Sequence, residues 1–241
     1  MTVVYLHAVG LDGALWTDVA RPGALTPDLP GHGGAPRPAG PLTMAALVEH
    51  VADLIEEHGG GPADLVGISL GSMVAQQVAV HRPELVRSMV LACGGMRTDP
   101  AVSAQRSADT RLLGVTGTLD VTLRRWFTAA ALADPDHPGV AWARARLLAD
   151  DADVVADYWA AMAGHDLTGA LGAVTVPTTC IGATADASVP VAAMRAVADA
   201  IPGGRMREIP GPHIVVLEEP AGFVAAVDEH LAWVDTQVGV R

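Results

Sequence analysis

At 241 residues the chain is long enough for one large α/β domain carrying an insertion, or for two ordinary domains. Half of it is hydrophobic and only 17% is charged, which supports a substantial core and argues against extended disorder. A net charge of −12 disfavours nucleic acid and anionic membranes as partners, and it obliges any anionic substrate to find a locally positive pocket.

Thr2 to Leu6 is β-branched and apolar, the pattern of a buried strand. It runs into His7-Ala8-Val9-Gly10-Leu11-Asp12-Gly13, a glycine-containing loop whose backbone N–H groups are free to bind an anion. A second strand end follows at Thr26 to Gly34, punctuated by Pro and Gly. The turn chemistry around His7 and His32 explains both segments, so both histidines are expected to be structural. Thr43 is placed to cap a helix from Met44 to His58, with Leu47, Val51, Leu54 and Ile55 on one face and glycines 59 to 61 as the stop.

The segment Asp64 to Val80 then passes from an apolar run through Gly67-Ile68-Ser69-Leu70-Gly71 into helical spacing. A strand that becomes a helix this abruptly strains its corner residue, and flanking glycines make room for the turn. The corner side chain, Ser69, is left facing open space beneath the positive end of the new helix. That helix ends near Pro83, and Ser88 to Cys93 forms the next strand. From Ala101 to Asp166 the periodicity is helical throughout and contains Trp126, Trp142 and Trp159. Leaving the sheet at a strand's carboxyl end, this segment would roof Ser69. Arg124 and Arg125 are its nearest candidates for positive charge over the site. Val176 to Ile181 resumes the sheet and leads to Asp186; a helix over 191–200, a short strand Met206 to Ile209 and a loop carrying His213 follow. A last helix spans Pro220 to Val234.

The alternation implies a mostly parallel sheet flanked by helices. Core regions are 1–112 and 169–241, with a helical cap at 113–168. A serine hydroxyl needs a base to take its proton, and a histidine base needs a carboxylate to fix its tautomer. Ser69, Asp186 and His213 each follow a strand, in the order Ser…Asp…His. Asp99 is the rival acid; Asp186 is preferred because its turn sits immediately beyond a strand. The oxyanion donors are expected to be the N–H groups of Val9 and Leu70. Trp126, Arg124 and Trp159 are the candidate substrate contacts. No metal or cofactor is expected, since neither ligand spacing nor a G-x-G-x-x-G pattern occurs. Cys93 and Cys180 sit in apolar runs, which fits reduced thiols in a cytoplasmic protein. No basic stretch precedes the apolar start, so a secretory leader is not expected. The uncharged stretch Leu167 to Ala185 reads as loop and strand, not a membrane span. The expected partner is a small ester or lactone, and a homo-oligomer is compatible with these features.

The nucleophile elbow formed by Gly67-Ile68-Ser69-Leu70-Gly71, with D-L-P-G-H-G, G-A-T-A-D-A-S-V-P and G-P-H-I-V-V-L-E-E-P, resembles the α/β-hydrolase superfamily over nearly the whole chain. L-R-R-W-F-T in the cap, with the elbow context G-I-S-L-G-S-M-V-A-Q, is similar to 3-oxoadipate enol-lactonases. The resemblance implies hydrolysis of a small anionic enol-lactone through Ser69, Asp186 and His213. The first loop and Ser72 depart from that family's pattern, and the amino-terminal hairpin common there does not precede the first strand. A carboxylesterase, an acyl-homoserine lactone hydrolase, a C–C bond hydrolase, a perhydrolase and a non-catalytic receptor of this fold remain alternatives.

Overall fold

The computed structural model describes residues 1–238. Its sheet holds five parallel strands in the spatial order of the sequence: β1 (Val3–Leu6), β2 (Ala63–Ile68), β3 (Val86–Ala92), β4 (Thr178–Ala183) and β5 (Arg205–Ile209). β1, β2 and β4 are buried at every residue and β3 at all but Arg87, so they read as continuous apolar runs, the signature of strands covered on both faces. The edge strand β5, Arg-Met-Arg-Glu-Ile, is largely exposed and charged, which blunts its unpaired side against other chains.

The strand expected near Thr26 shrinks to one bridge. Leu25 lies parallel to Val4, donating to Val3 O and accepting from Tyr5 N, both at 2.8 Å. Pro22, Pro27 and Pro30 around it lack the N–H donors a longer ladder needs. The bridge still matters for topology. The chain leaves β1 towards Leu25 on one side and then crosses back to β2 on the other, so the connections diverge between β1 and β2. Crevices at such switch points, outside the carboxyl ends of the strands, are where open parallel sheets gather ligands.

Helix α1 (Met44–Glu57) begins where the Thr43 hydroxyl accepts from Ala46 N at 3.1 Å and buries Met44, Leu47, Val48, Val51 and Ile55 against α2 (Leu70–His81). α2 packs on β1, β2 and β3; α7 (Val191–Ala200) lies on β4 and β5, and α9 (Pro220–Val238) on β3 to β5. Between β3 and β4 no strand occurs among the described residues. Four helices fill the interval: α3 (Pro100–Trp126), α4 (Ala129–Ala133), α5 (Pro138–Leu148) and α6 (Ala152–Met162). α3 breaks at Gly114, whose φ of 67° and ψ of 175° interrupt an otherwise helical run.

This helical layer is docked on the core. Tyr158 Oη on α6 donates to Pro30 O at 2.9 Å, and Glu218 on α8 (Val215–Glu218) accepts from both Thr128 N and Thr128 Oγ1 at 2.8 Å. Among the described residues no helix is long and apolar enough to cross a membrane.

Candidate active site

Ser69 stands at the corner between β2 and α2 with φ 53° and ψ −116°, a left-handed conformation that costs an L-residue about 1–3 kcal/mol. The sequence makes room for it. A Cβ on Gly71 would overlap the carbonyl oxygen of Leu6, and one on Gly67 would overlap the carbonyl of Gly71, so strand and helix approach only because both are glycine. The result aims the Ser69 hydroxyl out of the sheet.

His213 lies in the loop after β5. Its Nε2 is 2.9 Å from Ser69 Oγ, and its Nδ1 is 2.8 Å from Asp186 Oδ2. Ser69 and His213 are buried, and Asp186, though its backbone is partly exposed, has no exposed side-chain surface. Asp186 Oδ1 accepts from the N–H groups of Ser188 at 2.6 Å and Val189 at 2.9 Å. Those donors fix the carboxylate in line with the ring, and with Nδ1 donating to it Nε2 is left to accept from Ser69. Asp99 is elsewhere: it caps α3 by accepting from Ala101 N at 2.9 Å and Val102 N at 3.4 Å. The structure therefore brings together Ser69, His213 and Asp186, and leaves the rival acid as a helix cap.

Behind Asp186 sits Cys93, with Ser69 one of two non-glycine residues of positive φ (49°) among the described residues. Ligand atoms of Cys93, Asp186 and His213 lie within 4.8 Å of one another. The group is poorly suited to a metal, because burial and the Asp186 charge push the thiol well above its usual range, and both Asp186 oxygens already meet donors.

Two backbone N–H groups near Ser69 are the candidate oxyanion donors. Leu70 opens α2, where the first donors of a helix have no intrahelical partner, and Val9 follows β1. Among the described residues neither N–H finds a protein acceptor. The first loop is held by the two histidines. His7 Nε2 accepts from Leu29 N at 2.9 Å while its Nδ1 donates to Ala8 O at 2.8 Å, and His32 Nε2 accepts from Gly10 N at 2.8 Å. Both roles require a neutral ring, and burial enforces it, lowering His7 to about 4 and His32 well below its ordinary value.

Ser69, His213 and Val9 open into a cavity of about 270 Å3 roofed by the cap, and the candidate substrate contacts Trp126 and Trp159 stand in its wall. The roof begins before residue 113, since Val102, Ser103 and Arg106 from the first half of α3 also line it. Arg124 does not reach the cavity. It is exposed, whereas its neighbour Arg125 is half-buried and faces the site. Helix phase is the cause: at 100° per residue Arg124 falls about 150° from the centre of the Leu119, Thr122, Leu123 and Trp126 face, and Arg125 about 110°. Arg97 and Arg106 also line the cavity and were not anticipated. Arg106 carried a misleading signal, because Asp109 at i+3 suggests a solvated surface pair; instead Asp109 accepts from Gln105 Nε2 at 2.8 Å.

These features have counterparts. Residues 3–227 match the alpha/beta hydrolase family. The chain belongs to that family. Among proteins similar to it is a pimeloyl-[acyl-carrier protein] methyl ester esterase of Chromobacterium violaceum, 30% identical over 95% of this chain and 93% of that one. A 3-oxoadipate enol-lactonase of Acinetobacter baylyi is 27% identical over 83% of this chain and 75% of that one. The crystal structure of an enol-lactonase from Burkholderia xenovorans superposes with a TM-score of 0.89, at 26% identity over 96% of this chain and 91% of that one. The alpha/beta hydrolase chain thus shares a fold with an enol-lactonase, and its relatives include an esterase and an enol-lactonase.

Proposed function

We propose that this alpha/beta hydrolase cleaves a lactone or small carboxylic ester through an acyl-enzyme, without a cofactor, and that a 3-oxoadipate enol-lactone-like compound is the best single candidate. One observation carries the reading: a hydroxyl, an imidazole and a carboxylate are joined by hydrogen bonds of 2.9 and 2.8 Å, with the hydroxyl and the imidazole lining a cavity beneath the cap. Ser69 Oγ attacks the substrate carbonyl while its proton passes to His213 Nε2. The oxygen of the tetrahedral intermediate is met by the N–H groups of Val9 and Leu70, each worth about 3–4 kcal/mol in the transition state. Collapse expels the ring oxygen, which takes the proton from His213 and remains tethered to the acyl group. Water, deprotonated by the same nitrogen, then releases the acid and regenerates Ser69. Asp186 stabilises the imidazolium in both halves. The cytoplasmic setting and the small-molecule partner belong to the same proposal.

A fluorophosphonate labelling the wild type but not Ser69→Ala supports an enzyme, and absence of labelling in the folded wild type favours the receptor alternative. Rapid loss of enol-lactone absorbance alongside slow turnover of aryl esters selects the lactonase. The 30% identical esterase favours a second reading, a linear methyl ester substrate. A panel of methyl esters and lactones compared by kcat/KM separates the two.

A further inference from the structure

Arg97, Arg106 and Arg125 line the cavity together with the carboxylate of Asp99, and among the described residues no carboxylate pairs with Arg106 or Arg125. Arg106 and Arg125 sit on either side of the break at Gly114, and in an unbroken helix their Cα atoms would be about 28 Å apart. The backbone of Gly114, in a region open essentially to glycine alone, folds the two halves of α3 so that both guanidinium groups share one wall. That wall, which includes Val9, Trp126 and Trp159, also bounds a smaller chamber of about 50 Å3 behind it.

Neither arginine is neutralised. Arg106 lies over the Trp159 ring at 4.7 Å, and Arg125 Nη2 donates to Thr122 Oγ1 at 3.2 Å. Burial lowers both guanidinium groups, Arg125 to about 10 with the Arg106 charge adding to the effect, and no carboxylate counters it in either case. Other arginines of the chain behave differently: Arg37, Arg82, Arg87 and Arg146 each meet two or more carboxylates. Arg97 lines the main cavity and acts on Asp166, and Asp109 lines the small chamber, held by Gln105. Two half-buried like charges in a chain of net charge −12 raise the energy of the free protein, and an anion between them lowers it.

We propose that Arg106 and Arg125 form a carboxylate-binding subsite on the cap, and that Arg106 is a specificity-determining residue selecting short lactones or esters that carry a free carboxylate remote from the reacting carbonyl. The subsite rests on the hydrolase reading only for where that carbonyl lies. A guanidinium fork matches the two oxygens of a carboxylate, which an ammonium does not.

Binding and turnover test this separately. Calorimetry on the Ser69→Ala protein with succinate, and with its dimethyl ester as the neutral control, reads the subsite without hydrolysis. Succinate is expected to bind more tightly than the diester, and Arg106→Gln or Arg125→Gln to weaken succinate about 10- to 100-fold, the range for a lost hydrogen bond between charged groups. In turnover, the ratio of kcat/KM for a monoaryl succinate to that for the matching aryl methyl diester is expected to fall by a similar factor in Arg106→Gln, mainly through KM, and to recover in part in Arg106→Lys. A ratio within twofold of wild type, an equal loss on both esters, or succinate binding untouched by Arg106→Gln overturns the proposal. Succinate binding with no turnover of either ester by wild type would leave the subsite standing and bring down the hydrolase reading instead.

Discussion

Replacing Asp186 by Asn tests the assignment of the acid most directly. Oδ1 of Asp186 faces two N–H donors, from Ser188 and Val189, so the amide carbonyl of an Asn must take that position. Its NH2 group then lies against His213 Nδ1, 2.8 Å away in the native arrangement, and donates to it. The ring can accept only by moving its proton to Nε2, which aims an N–H at Ser69 Oγ in place of a lone pair. The base is thereby lost while its geometry is kept. The expected fall in kcat is about 10⁴-fold, close to 5.4 kcal/mol at about 1.36 kcal/mol per decade. Turnover of an activated aryl ester measures it, with thermal unfolding as the control for folding. Asp99→Asn provides the contrast, because Asn caps a helix as well as Asp does, and kcat is expected to stay within about threefold. Retention of more than a tenth of the wild-type rate in Asp186→Asn, or loss of it in Asp99→Asn, refutes the reasoning.

Gly71→Ala drives a methyl into the Leu6 carbonyl, forcing β1 and α2 apart; a loss of about 3 kcal/mol, or roughly 6–12 °C in Tm, is expected by calorimetry, and an unchanged Tm would show a looser elbow. His32→Leu removes the acceptor for Gly10 N and unties the loop that presents Val9; kcat should fall at least about tenfold with a stability cost of about 1–3 kcal/mol, and an unaltered kcat would show the loop held by other means. Acid should destabilise the fold. His7 and His230 are both held near 4, below the ordinary value of 6.5, so the unfolded chain binds protons first and stability declines as pH drops from about 6.5 towards 4. Each contributes up to about 3 kcal/mol, offset in part by Asp150, whose burial raises it to about 6. Urea midpoints at pH 7 and pH 5 measure the slope. His230→Gln, which can still bond Ser88 and Thr179, should flatten it, and a flat wild-type profile would contradict the neutral rings.

The cluster of Ser69, Asp186 and His213 was legible in the sequence because each member is announced by local chemistry. Ser69 is bracketed by the glycines its corner needs, Asp186 stands in a turn directly after an apolar run, and His213 is fenced by prolines. Cap positions were legible only as periodicity. Whether Arg124 or Arg125 faces inward turned on the burial of Thr122, a polar residue that no hydropathy pattern assigns to the core. Arg106 was hidden further, since its partner in the cavity lies across a helix break that a single glycine in an amphipathic run does not declare. Nor did the sequence announce the Gln77 and His165 pair, in which Gln77 Nε2 lies 3.1 Å from His165 Nδ1 and His165 Nε2 lies 3.1 Å from the carbonyl oxygen of Gly95, a residue that lines the cavity. Such contacts join residues from different elements, and their logic is tertiary.

Residue types alone do not make the site, as the opposite end of the sheet shows. There Ser88, His230 and Asp64 are also buried and hydrogen-bonded, with Ser88 Oγ donating to Asp64 and lying 3.0 Å from His230 Nε2. The order differs: the hydroxyl sits between acid and imidazole, so its proton is already committed to the carboxylate. His230 Nδ1 meets Thr179 Oγ1 at 2.8 Å, and Arg87 closes over Asp64. Every group is satisfied and no lone pair is left to drive chemistry, which makes this a structural tie between α9 and the strands. At Ser69 the imidazole is the middle member, the backbone is strained, and among the described residues the N–H groups of Val9 and Leu70 meet no acceptor. The two clusters differ in the direction of their hydrogen bonds and in the donors left without a partner, and among the described residues it is the one at the strained corner, beside the cavity at the carboxyl ends of the strands, that meets what the proposed chemistry needs.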